Sequence, residues 1–342
     1  MSVVSFKRWL AMLLSGCLLA GPVLAAGEVN LYSARKENLI QPLLERFTGQ
    51  TGIEVNLVTG KADALLQRLK SEGRNSPADL LLTTDAGRLH RAKEAGVLAP
   101  VDAEVLRKRI PGRYRDPEGH WFGLSVRARP IVYVKDRVTP DELSTYEALA
   151  DPKWQGRICI RSSSNIYNQS LVASMIAHRG VEATEAWARD FVANFARPPI
   201  GGDRDQVMAA AAGLCDVAVV NTYYLGVMLN QGDADQRRAA EQVAIFWPNQ
   251  NGRGTHVNVS GIGMTAAAGN RDNAVRLMAF LASDDAQAWY AQVNHEYPVR
   301  DSVPVSDTLE AWGGFKADDL DLYLLGKYNA EAVRLMDRAG WK

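Results

Sequence analysis

The chain has 342 residues, 47% of them hydrophobic, with 39 lysines and arginines against 39 aspartates and glutamates. That length allows one or two domains with a sizeable core, and so neutral a balance argues against a nucleic-acid-binding surface. Beyond the first 26 residues no apolar run is long enough to span a bilayer.

Those first 26 residues read as an export signal. Lys7 and Arg8 precede the apolar run WLAMLLSGCLLAGPVLAA, and Gly27 and Glu28 open a polar sequence. Cleavage after Ala25 or Ala26 leaves 37 basic residues against 39 acidic ones, in a mature protein expected to be soluble and periplasmic. A competing reading takes Leu14-Ser15-Gly16-Cys17 as a lipoprotein box with Cys17 acylated. The apolar residues that follow Cys17 weigh against it, because a tether should be polar.

Short apolar strands then alternate with amphipathic helices. VNLYSA is a strand, followed by a helix with Leu39, Ile40, Leu43, Leu44 and Phe47 at helical spacing. GIEVNLVTG, ADALLQRLKSEG, ADLLLTT and AGRLHRAKEAG continue as strand, helix, strand and helix, each helix closed by glycine. Repeated β-α-β predicts a doubly wound α/β fold with mostly parallel sheets and helices on both faces. FGLSVRARPIVYV is extended, and a second alternating series begins near RICIRSSSNIYNQSLVASMIAHRG. AIFWPNQNGRGTHVNVSGIGMTAA is again extended and glycine-rich. Two such crossings predict two discontinuous lobes joined by a hinge, with a cleft between them. The first lobe is expected over 27–125 plus about 256–300, the second over about 126–255 plus about 301–342.

Export makes Cys159 and Cys215 the only cysteines in an oxidising compartment. They stand at or near expected strands, in RICI and LCDVAVV, and are expected to pair. Two buried free thiols are the competing reading.

In sheets of this kind ligands meet the carboxyl ends of strands, where loops lead into helix starts. Tyr223 and Tyr224, in DVAVVNTYYLGVML, stand at such a place. Adjacent side chains on a regular strand diverge, so the pair converges only if the backbone breaks at Asn221 and Thr222. Otherwise one ring packs in the core and the other is wet. RSSSNIYNQS offers a second element, in which the free N–H groups of a helix start and the hydroxyls of Ser162, Ser163 and Ser164 suit an anion. Tyr167 lies in that first turn and shares the cleft if the two strands are neighbours. Arg127 and Arg129, alternate residues of the first crossing, are candidate charge partners, with at least one of them expected to be solvated.

Three phenols around one point make a specific demand. Tyrosine titrates near pH 10, so ionising each ring at pH 7 costs ~4 kcal/mol, which a neutral sugar or an amino acid cannot offset. A hard trivalent cation can, since hard ions take oxygen ligands and metal binding drives deprotonation. Fe(III) is the natural candidate. An added carboxylate or anion would leave negative charge for an arginine to balance.

LYSAR, GHWFGLSVRAR, LADPKWQG, RSSSNIYNQSLVAS, NTYYLG, PNQNGRGTHVNVSG and NHEYPV carry a resemblance. Over essentially the whole mature chain the sequence resembles the periplasmic ferric-iron-binding proteins of bacterial ABC importers, in the branch that includes the cyanobacterial members. The resemblance implies a monomeric type II binding protein that closes on Fe(III) and delivers it to an inner-membrane permease. It implies Tyr167, Tyr223 and Tyr224 as metal ligands, Arg127 as a charge partner behind them, and an accompanying anion such as carbonate or phosphate near Ser163 and Ser164. There is a departure. Where relatives place a ligating histidine after the YS-x-R stretch, this chain has Lys36 and Glu37, which makes Glu37 a candidate fourth ligand. The acidic residue of some relatives after the third strand is missing, with Thr84 in its position and Asp85 beside it. The alternative keeps the fold but binds an organic or phosphorylated anion through Arg127, Arg129 and the serine-rich helix start. An enzyme is not expected: His90, His120, His178, His256 and His295 form no zinc-type spacing, and no nucleophile elbow or phosphate loop is present.

Overall fold

The computed structural model describes residues 27–342, so the expected export signal and Cys17 lie outside the described residues. The described chain opens with β1 (Glu28–Ser33), α1 (Glu37–Thr51), β2 (Glu54–Thr59), α2 (Ala62–Glu72), β3 (Leu80–Thr84) and α3 (Ala86–Glu94). α1 forms because Ile40, Leu43, Leu44 and Phe47 recur on one face, and all four are buried. It stops at Gly52, whose left-handed backbone (φ 71°) lets its N–H reach the Thr48 carbonyl. Then β4 (Leu98–Ala99) and α4 (Glu104–Arg109) lead to β5 (Phe122–Ala128), which is buried along its whole length.

After β5 the chain leaves this sheet and builds another. The second set runs β6 (Ile131–Val134), β7 (Ile158–Cys159), α5 (Ile166–Arg179), α6 (Val181–Ala193), α7 (Asp203–Ala211), β8 (Val217–Val219), α8 (Thr222–Gln231), α9 (Ala234–Glu241) and β9 (Val243–Phe246). β10 (Val257–Thr265) returns to the first sheet and is followed by α10 (Arg271–Leu281) and α11 (Asp284–Asn294). The first sheet has the order β2-β1-β3-β10-β4, with β5 on β10, and the second the order β7-β8-β6-β9. The two lobes are therefore discontinuous in sequence. The C-terminal segment touches both cores: Leu322 and Leu325 pack in the first, Leu335, Met336 and Trp341 in the second.

Strand direction follows from the crossings. β1 pairs in parallel with β2 and β3, and β7 with β8, as strand–helix–strand units require. The sheets are nevertheless mixed and not mostly parallel, because β10 runs antiparallel to β3, β4 and β5, and β6 antiparallel to β8 and β9. β3 and β8 carry the chain toward the hinge side of their sheets. β6 and β10 enter from that side and must run away from it.

Tyr146 ties the crossings together. Its buried hydroxyl donates to the Arg129 carbonyl in the first crossing (2.7 Å) and accepts the His256 N–H in the second (3.1 Å). Cys159, at the end of β7, and Cys215, shortly before β8, form a disulfide with Cα atoms 5.8 Å apart. That bond joins two neighbouring parallel strands of the second lobe.

Candidate metal centre

Tyr167 is the second residue of α5, and Tyr223 and Tyr224 are the second and third of α8. α5 follows β7 and α8 follows β8. Because these strands are parallel neighbours, with Cys159 beside Ala218, both helix starts emerge at one edge of the sheet. The phenols meet there. Tyr223 Oη donates to Tyr167 Oη at 3.2 Å, and the Tyr223 and Tyr224 ring centroids lie 4.3 Å apart. The backbone has left the strand by Asn221, so the tyrosine pair rides on the first turn of a helix, where neighbouring side chains are turned by about 100°. That rotation, smaller than the reversal along a strand, brings both rings to one side.

Guanidinium groups surround the rings. Those of Arg127, Arg161 and Arg129 lie 5.4, 5.5 and 6.0 Å from the centre of the Tyr167 ring, and that of Arg204 lies 5.9 Å from the centre of the Tyr224 ring. The expectation that Arg127 or Arg129 is solvated is wrong: they are 2% and 1% exposed. They are buried because they are held. Arg129 donates to Asp203 Oδ2 (3.2 Å), Asn221 Oδ1 (3.0 Å) and Asn168 Oδ1 (2.6 Å), while Arg161 donates to the other oxygen of Asp203 (3.2 Å). Arg127 reaches Ser260 Oγ at 3.3 Å and lies 3.6 Å from Asp85. Four guanidiniums thus face two carboxylates, Asp85 and Asp203, leaving a positive surplus beside the phenols.

Burial pushes the Tyr223 hydroxyl far above the ordinary phenol range, and the neighbouring Tyr167 and Tyr224 hydroxyls push it further, against the pull of Arg127. Burial also raises Tyr224, with Tyr167 and Asp203 adding to it. At neutral pH both groups are protonated until a cation displaces the protons. Behind Tyr167 a narrow crevice, too tight for a water molecule, is lined by Asp85, Arg127, Arg129, Asn221, His256 and Asn258. Burial, followed by Arg253, Arg129 and Arg127, holds His256 well below the usual imidazole range, so it is a neutral ring.

The other expected residues lie differently. Glu37 is the exposed first residue of α1, beside exposed Lys36, and neither side chain makes a hydrogen bond or ion pair among the described residues. The start of α5 is capped by Asn165, whose side chain accepts the Tyr167 N–H at 3.0 Å, not by a serine. The hydroxyls of Ser162 and exposed Ser164 bond to each other (3.0 Å), and the Ser163 N–H is taken by the Lys342 carbonyl (3.1 Å). Asp203, Arg161 and Asn168 join the site without standing out in the sequence. Asp203 follows Gly201-Gly202 at a helix start, a pattern that reads as a helix-dipole residue and gives no hint of two arginine partners. Among the described residues no group of three histidine, cysteine, aspartate or glutamate side chains is placed to hold a metal ion. The phenols are the oxygen donors that the two helix starts bring together.

A profile of bacterial extracellular solute-binding proteins matches residues 75–321. "Iron uptake protein A1" of Synechocystis sp. is 53% identical over 315 residues, covering 92% of this chain and 88% of that protein. The fold matches that of Trichodesmium FutA in complex with iron and citrate ligands, with a TM-score of 0.90 and 50% identity over 92% of this chain and 100% of the other. It also matches the ferric binding protein from Campylobacter jejuni, with a TM-score of 0.87 and 38% identity over 92% of this chain and all of that one.

Proposed function

The chain belongs to the bacterial extracellular solute-binding proteins, and from that premise we propose that it captures Fe(III) in the cleft for an ABC importer. Tyr167, Tyr223 and Tyr224 are the ligands in this reading. The observation that carries it is the meeting of the three phenols at one sheet edge, two of them in direct hydrogen-bond contact. Ionising an unperturbed phenol at neutral pH costs ~4 kcal/mol, and no neutral solute offsets that for three rings. They suit a trivalent ion, because three phenolates cancel its charge. The guanidinium surplus then favours a small anion, such as carbonate, phosphate or citrate, in the remaining coordination positions.

The lobes are read as 27–125 plus about 256–300 and about 126–255 plus about 301–342, with Leu322 and Leu325 of the last segment packing back on the first core. Hinge motion about the two crossings admits and encloses the ion. The mature protein acts as a periplasmic monomer after removal of residues 1–25 or 1–26, and it hands iron to an inner-membrane permease. Its relatives are named for iron uptake and ferric binding, which supports a carrier without catalysis.

Ferric citrate added to the iron-free protein is expected to raise a visible phenolate-to-iron band and to expel protons, so apparent affinity falls as pH is lowered. Tyr223→Phe with Tyr224→Phe should cut the band to what Tyr167 alone supplies and weaken binding at least about a hundredfold, since even residues behind a metal ligand are worth about 10–100-fold in affinity. A band of unchanged intensity in that double variant would sink the assignment. Binding of an organic anion with a chelator present would instead favour the alternative ligand class.

A further inference from the structure

Asp85 is the feature of the first lobe that neither the ligand set nor the hinge accounts for. It follows β3 and caps α3, accepting the Gly87 N–H at 2.9 Å. It is fully buried, and its backbone sits at φ 84° and ψ 124°, a conformation that non-glycine residues rarely adopt. An ordinary cap needs neither the burial nor the strain. Helix capping accounts for one acceptor position on the carboxylate. The remaining partners come from elsewhere in the molecule.

Oδ1 also accepts the Ser170 hydroxyl at 2.7 Å. Ser170 lies on α5, one turn beyond Tyr167, so this bond crosses from the first lobe to the second. Oδ2 accepts the Asn258 amide at 2.9 Å and lies 3.6 Å from Arg127, whose guanidinium stands over the Tyr167 ring. Gly87 leaves the carboxylate room, because a Cβ there would lie 3.1 Å from Asp85 Oδ1, closer than an ordinary contact. One carboxylate therefore touches the partner lobe and the cation that faces the ligands.

We infer that Asp85 is an interlobe latch and the positioning residue for Arg127. When the lobes meet, the Ser170 hydroxyl completes the carboxylate's shell, and the same group holds Arg127 against Tyr167. Closing the cleft and placing a positive charge beside the phenols become one event. The acid after the third strand thus serves this chain as a fastener and not as a ligand. This inference rests on the ferric reading above.

Three variants separate its parts. Ser170→Ala removes the bond across the cleft and leaves Arg127 in place. Asp85→Asn retains an acceptor and tolerates the positive φ, but removes the charge facing Arg127. Asp85→Ala removes both, and circular dichroism shows whether it is folded. The readouts are release of Fe(III) to a chelator, the position of the phenolate-to-iron band, and the radius of gyration of the iron-loaded protein. Ser170→Ala should release iron about tenfold faster, as expected for one hydrogen bond to a charged group, with the band unmoved and the loaded form less compact. Asp85→Asn should shift the band while compaction stays near that of the parent. A band in the parent protein with parental release rates in Ser170→Ala, or no band shift in Asp85→Asn, overturns the latch alone. No band in the parent overturns the ferric reading and the latch with it.

Discussion

Each lobe brings one pair of parallel neighbours to the cleft, and the two pairs deliver opposite chemistry. In the second lobe β7 and β8 lead into helix starts that carry Tyr167, Tyr223 and Tyr224. In the first, β1 and β3 lead into Arg35, Lys36, Glu37 and Asp85. The geometry is the same and the cargo of side chains is not. Under the ferric proposal the phenols of one lobe are the metal donors, whereas the other lobe contributes charges and closing contacts. Arg35 shows the contrast, since its guanidinium is buried on Glu296 (2.7 Å) and Ser125 (3.2 Å) and is not available as a ligand. Under that proposal the second lobe alone defines where iron sits, and the first governs how long it stays.

The sharpest way to separate the lobes is the disulfide, which staples only the tyrosine-bearing pair. Replacing Cys159 and Cys215 with serine is expected to lower unfolding stability in urea by about 4 kcal/mol, the scale for closing a loop across a sequence separation of 56. Hydrogen exchange should place that loss in β7 and β8, with the first sheet unchanged. Equal loosening of both sheets would dissolve the distinction.

A smaller effect is expected from the closing surface. Gly226, on α8, meets His295 of the first lobe so closely that a Cβ would lie 2.7 Å from the His295 Cβ. Gly226→Val should wedge the lobes apart. Overpacking of this sort costs about 1–3 kcal/mol, so iron should leave roughly ten times faster or more, with the band position unchanged. A shifted band would mean that closure also sets the ligand geometry.

The parts of this arrangement legible in the sequence were those carried by local pattern. Alternating strands and helices, the glycines that follow α2 and α3, and tyrosines at two strand-to-helix junctions are all written within a few residues of each other. The pairing of Arg129 and Arg161 with Asp203 is not, because it joins residues far apart in the chain and only the folded sheet brings them together. For the same reason at least one of the two arginines in an extended segment read as solvated: burial of a guanidinium is decided by partners that no local pattern names. Strand direction was missed at the crossings, since periodicity reports which face a residue occupies and not which way its strand enters the sheet. Asp85 was visible only as an acid one place removed from an expected ligand. Its contact with Ser170 depends on how the two lobes meet.

The most direct test of the claim that the second lobe holds the metal is an anomalous-difference map at the iron edge, from crystals of the ferric protein. The account predicts one peak within bonding distance of the hydroxyls of Tyr167, Tyr223 and Tyr224, with no side chain of the first lobe, Glu37 included, bound to it. A peak coordinated by Glu37 or Asp85, or one away from the tyrosines, would contradict it.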